Sequence, residues 1–305
     1  MNSRWHLIGL LAIVIAAGVG LMVMPSRNAS PKATQVTLES PRENPANSHS
    51  TSWVAQRSQF VAASASLETP KLIKPELPSQ IQAYLAQPKQ RPKMTGLPLV
   101  DAAGEDLLIR KYREIDAFTN KPGLIRLMAY TGGDKVFELF ANTLTNELAG
   151  RSLSRPEEAI VGYMPQLIGV LARKSDAAFE FLKAGLQPAF WQQNATWKTQ
   201  TGSDQPRILI GACIKGLALS GRNEGKEIVY GFRTQGANSY LRAIDGSVVD
   251  SAFVLDYIDQ NGLEAYLDNI SISDLNTQMK AFETWTKTSN GVAWKAWSQK
   301  VDRSR

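Results

Sequence analysis

Two stretches of the chain carry the same order of apolar and polar positions. Ile208 to Phe232, ILIGACIKGLALSGRNEGKEIVYGF, is a nearly all-apolar run at helical spacing, a Gly221-Arg222-Asn223 break and a second, shorter helical run. Some 46 to 47 residues upstream, Leu167 to Gly185, LIGVLARKSDAAFEFLKAG, has the same order: Leu171-Ala172 answers Leu217-Ala218, and Phe181-Leu182 answers Ile228-Val229. Two helices joined by a few polar residues form an αα-hairpin, and two copies at one spacing predict hairpins stacked side by side.

The flanking pattern is helical as well. Leu107, Leu108, Tyr112, Ile115 and Phe118 recur at three and four until Asn120-Lys121-Pro122-Gly123 ends the run. Leu124 to Tyr130 reads as a shorter helix, and Thr131-Gly132-Gly133-Asp134 as the loop that opens the next, with stripe Val136, Phe137, Phe140, Leu144 and Leu148 up to Gly150. Ser154-Arg155-Pro156-Glu157 is a capping box with proline just inside the helix start, and Pro165 predicts a kink farther along. Asp176 is the expected cap of the partner helix. Between the two copies, Leu186 to Thr201 carries Phe190, Trp191 and Trp197, either as a cover over the hydrophobic seam or as a ligand-contacting loop. Downstream, Tyr240 to Ile258 marks a long helix ending at Asp259-Gln260-Asn261-Gly262. Ser273 caps a helix with Leu275, Met279, Phe282 and Trp285, and Val292 to Val301 places Trp294 and Trp297 on one face, as expected of a helix closing the end of a stack. No segment alternates with period two, so the expected domain is all-α.

The first hundred residues follow other rules. Leu7 to Met24 is eighteen apolar residues without a charge, preceded by Arg4 and followed by Pro25, and reads as an uncleaved signal anchor with a cleaved signal peptide as the alternative. Residues 25–98 hold ten of the fifteen prolines among Ser, Asn, Gln and Thr, the composition of a disordered linker. The expected domains are therefore a membrane segment at 1–24, a linker at 25–98 and a helical domain at 99–305. A short N-terminal tail stays cytoplasmic, which puts the domain outside the cytoplasmic membrane.

Charge follows the same division. Residues 1–100 contain ten Lys/Arg and four Asp/Glu, leaving 24 of each in 101–305, so the basic excess belongs to the head and a nucleic-acid partner is not expected. Within the domain, 243–279 has seven acids and no Lys or Arg, whereas 280–305 has six bases and two acids, which predicts that the basic tail folds against the acidic stretch. The single cysteine, Cys213, lies in the most apolar run and reads as core; His6 and His49 precede the domain. These counts leave no disulfide, no His-dependent triad and no expected metal or other cofactor. Asp259-Gln260-Asn261-Gly262 resembles a calcium loop only in part and reads as a turn.

Leu167 to Gly185 and Cys213 to Phe232 resemble the second halves of HEAT/armadillo-type repeats, with Pro165 where a kinked first helix is common in that family; the resemblance covers 156–232. It implies a short, irregular α-solenoid, the alternative being a helical bundle. It further implies a scaffold with a concave protein- or peptide-binding face, and it transfers no catalytic residue. The expected function is a membrane-tethered, extracytoplasmic, non-catalytic scaffold for a protein or peptide of the cell envelope, with Phe190, Trp191, Trp197, Asp256 and Asp259 as candidate contacts. One alternative is a glycan-cleaving enzyme using carboxylates alone, with Glu147, Glu157 or Glu158 as candidates. The other is a secreted helical effector, if the head is removed.

Overall fold

A computed structural model describes residues 76–86, 93–94, 96–200, 202, 205–235, 238–271 and 275–303. The membrane segment expected at 7–24, most of the linker and the cap at Ser273 lie outside these residues. Among the described residues no helix is long and apolar enough to cross a membrane.

The described part is all-α. Its helices are α1 (Ser79–Ala86), α2 (Ala102–Glu114), α3 (Pro122–Thr131), α4 (Asp134–Asn142), α5 (Arg155–Leu171), α6 (Asp176–Ala184), α7 (Pro188–Asn194), α8 (Gln205–Leu219), α9 (Asn223–Gly231), α10 (Ser239–Asn261), α11 (Leu263–Asn269), α12 (Leu275–Trp285) and α13 (Ser289–Arg303). Two two-residue strands, β1 (Ser152–Leu153) and β2 (Lys198–Thr199), pair in parallel and tie the segment after α7 to the entry of α5. The capping box is formed: the Ser154 amide and hydroxyl donate to Glu157 Oε2 at 2.8 and 2.7 Å. α6 begins one residue earlier than its sequence suggests, because Ser175 takes the cap position and accepts from the Ala178 amide at 3.2 Å. The helix expected to reach Gly150 changes pitch: α4 stops at Asn142 and Thr143–Glu147 continues as a π turn.

α3 packs on α5, α5 on α8, α8 on α10 and α10 on α13, while α6 folds back on α5 and α9 on α8. Glycine sets the closeness of the central pair. A Cβ on Gly169 of α5 would lie 2.2 Å from the Gly216 carbonyl oxygen, and one on Gly216 of α8 would lie 2.5 Å from that of Pro165. The two helices therefore touch backbone to backbone. On the next interface a Cβ on Gly211 would meet Ser247 Oγ at 2.4 Å. Glycine inside a helix costs up to about 1 kcal/mol relative to alanine, and the contact it permits along a buried seam offsets that loss. Cys213 is fully buried here, and burial pushes its thiol upward.

Polar links join successive hairpins at their loops. Lys174 Nζ, after α5, donates to the Gly132 carbonyl at 2.6 Å and to Tyr130 at 3.3 Å, at the end of α3. Arg222, after α8, repeats the arrangement: Nε donates to the Ala172 carbonyl at the end of α5 at 2.6 Å, and Nη1 to Asp176 at 2.6 Å. Cations at helix C-termini meet unpaired carbonyls and the negative end of the dipole, which makes these contacts favourable.

The acidic stretch finds bases that its sequence position did not suggest. Asp250 pairs with Lys215 at 2.7 Å, Asp259 with Lys226, and Glu264 with Arg173 at 3.5 Å, so these acids face earlier helices. The tail folds against the stretch as α13 on α10 and contributes neutral donors, the Ser298 hydroxyl to Asp245 and the Asn290 amide to Asp256. Alternating charges across neighbouring helices relieve the like-charge repulsion that the run would otherwise build up.

Candidate functional site

A cavity of about 260 Å³ opens between the end of α2, the loop before α3, the π turn and the start of α5. Its most unusual occupant is Lys121. The residue is only 9 % exposed, and its ammonium lies 3.8 Å from the centroid of the Tyr112 ring. Among the described residues that ammonium makes neither a hydrogen bond nor an ion pair, yet it borders the cavity. Burial lowers its pKa, against opposing pulls from Glu147 and Asp116. Tyr112 supplies the π face a desolvated cation prefers, and burial raises its hydroxyl to about 12, partly offset by a hydrogen bond with Thr143.

Glu147, at the end of the π turn, borders the same cavity. Its Oε1 accepts from Asn142 Nδ2 at 3.0 Å and its Oε2 from Thr143 Oγ1 at 2.9 Å. An α-helix that widens by one residue re-aims the side chains at its end, and here the widened turn points Glu147 at the cavity. Glu157 also borders the space, paired with Arg151 at 3.0 Å. Hydrogen bonds from the Ser154 amide and hydroxyl hold its carboxyl below the usual range. That is opposite to the raised pKa of a general acid for glycosidic cleavage. The third carboxylate candidate, Glu158, turns to the β2 side, where Oε1 accepts from the Gln200 amide. Two of the three are thus brought together, and neither Lys121 nor Tyr112 carried a sequence signal, since a lysine beside Pro122 reads as a helix end.

The five candidate contact residues are divided among the core, a hydrogen-bonded junction and an ion pair. Trp191 is 1 % and Trp197 4 % exposed, and the Trp191 indole donates to the Gly185 carbonyl at 2.7 Å. Phe190, half-buried, meets Trp191 edge-on at 4.9 Å and Phe181 at 5.4 Å. The aromatic segment covers the seam. Asp256 accepts from the Tyr230 hydroxyl at 2.9 Å, the Trp285 indole at 2.6 Å and the Asn290 amide, a convergence that pins α9, α12 and α13 to α10. Asp259 is paired with Lys226.

A second place draws attention through what occupies it. α1 falls inside the stretch read as linker, yet Ile81 is fully buried and Leu77 is 6 % exposed within the hydrophobic core. Tyr84 lies within electrostatic reach of Arg126 on α3, Tyr163 on α5 and Asp268 on α11. Arg126 bridges to the Leu267 carbonyl at 2.8 Å, and Asp268 accepts from the Met94 amide. Beneath this seat, Lys215 and Asp250 meet Tyr266; burial alone would lower the Lys215 pKa, but Asp250 and Tyr266 raise it.

No group of three or more metal-ligating side chains occurs among the described residues. The chain matches no family model, no curated protein and no solved structure.

Proposed function

We propose that the protein is a non-catalytic helical scaffold, built from HEAT-like hairpins in a short solenoid and tethered outside the cytoplasmic membrane by residues 7–24. Its partner is a protein or peptide of the cell envelope, taken as an apolar helical segment laid on α3, α5 and α11. The observation that carries the reading is α1. Eight residues are too few to hold a helix in water, so its order comes from the seat that buries Ile81. A surface able to order one such segment has the features of helix-in-groove recognition, with apolar anchors about one turn apart and polar groups at the rim.

The test uses the full-length chain in mild detergent and a fluorescent synthetic peptide of residues 76–94. Ile81→Asp removes the native occupant's main anchor. The variant binds the peptide at least about tenfold more tightly than the unaltered protein, whose own segment competes at high effective concentration. Equal binding by the two proteins, or binding by neither, refutes the groove. N-terminal sequencing of the mature chain separates the tethered form from the secreted one.

A further inference from the structure

We infer that the Tyr112–Lys121–Glu147 cavity is a binding site for a small zwitterion of the amino-acid type, carrying one carboxylate and one ammonium. The inference stands apart from the helix-in-groove reading and rests on the charges around a single void. Lys121, a residue only 9 % exposed, brings an ammonium seated over the Tyr112 ring at the cavity edge. An ammonium has three N–H donors, and a π face satisfies the cation without accepting those hydrogens along their own directions. Those donors are free to meet a ligand carboxylate at the cavity edge.

The same cavity asks for the other charge. Each oxygen of Glu147 accepts one hydrogen bond, from Asn142 and Thr143, which orients the carboxylate and leaves lone pairs facing the space. Asp116 adds a second acid to the same lining. Arg151 and Glu157 also border it but neutralise one another at 3.0 Å. Lys121, Glu147 and Asp116 therefore border the space with no salt bridge among the described residues. A simple anion would meet Lys121 but be repelled by Glu147 and Asp116, and a simple cation would leave Lys121 unpaired. A molecule bearing both charges answers both.

Size narrows the class. At about 260 Å³ the cavity falls just below the range of sites for drug-sized ligands, which suits a free amino acid or a dipeptide. Thr119 and Thr143 border it and can serve a backbone-like amide.

Saturation-transfer NMR on the full-length protein in detergent tests this with three probes: L-alanine as zwitterion, acetate as anion and methylammonium as cation. L-alanine binds with a millimolar dissociation constant, and acetate and methylammonium bind at least about tenfold more weakly. Lys121→Met abolishes the L-alanine signal and Glu147→Gln weakens it about tenfold, while both variants keep the helical circular dichroism of the parent. The site is refuted if L-alanine gives no signal, if acetate alone binds as well, or if L-alanine binding survives in Lys121→Met.

Discussion

The α5–α8 crossing and the Lys121 cavity show opposite uses of helix ends and middles. At the crossing, Gly169 and Gly216 remove side chains so that two backbones touch. At the cavity the helix pitch widens at Thr143–Glu147, a gap opens, and two cations and three carboxylates border it. Close packing leaves no room for chemistry, and the loosened turn leaves room that charge then fills. Close backbone packing lies in the seam, and the open, charged space lies beside the π turn.

Filling the seam has the largest expected effect. Gly169→Val drives a branched side chain into the α8 backbone, and a loss of about 3 kcal/mol or more is expected, read as a collapse of the thermal transition or of soluble yield. Asp256→Ala tests the far end of the stack, stranding the Trp285 indole, the Tyr230 hydroxyl and the Asn290 amide. It should cost about 2 to 3 kcal/mol by denaturant titration.

Glu157→Gln probes the rim and is expected to cost about 1 kcal/mol at neutral pH. Because the folded carboxyl titrates below its unfolded value, this contribution is present above the unfolded pKa and is lost as pH falls through the folded one. Melting curves of the two proteins should therefore converge in acid. Lys121→Met has the smallest effect and the opposite sign. Its folded pKa is depressed, so the buried charge weighs against folding at neutral pH, and the penalty fades as pH rises through the folded pKa towards the unfolded value. The variant melts a few degrees higher at neutral pH, and the gain shrinks in alkali. A seam variant that melts normally, or a Lys121 variant that unfolds, would remove the contrast.

How much of this was legible in the sequence depends on range. The hairpins, the Ser154 capping box and the burial of Cys213 follow from residues within a turn or two of one another, where helical period and cap chemistry speak directly. α1 was not legible, because Ile81 and Leu85 sit among prolines and polar residues, and the groups that Tyr84 faces on α3, α5 and α11 are far along the chain. The tail does pack on the acidic stretch, as α13 on α10, but the bases that pair with Asp250, Asp259 and Glu264 were not legible for the same reason, since stacking brings Lys215, Lys226 and Arg173 alongside. Glu147 and Glu157 were visible as carboxylates. That they share a void with Lys121 is a property of the fold.

Lys174 and Arg222 both reach backwards, each to the carbonyl end of a helix belonging to the preceding hairpin. The array therefore has a direction. A chain cut after α6 keeps every carbonyl that Lys174 needs, whereas one starting at α8 leaves Arg222 facing water with nothing to cap. As the chain leaves the ribosome, each acceptor is already made before its donor is translated, so every hairpin can lock onto a finished neighbour in order of synthesis.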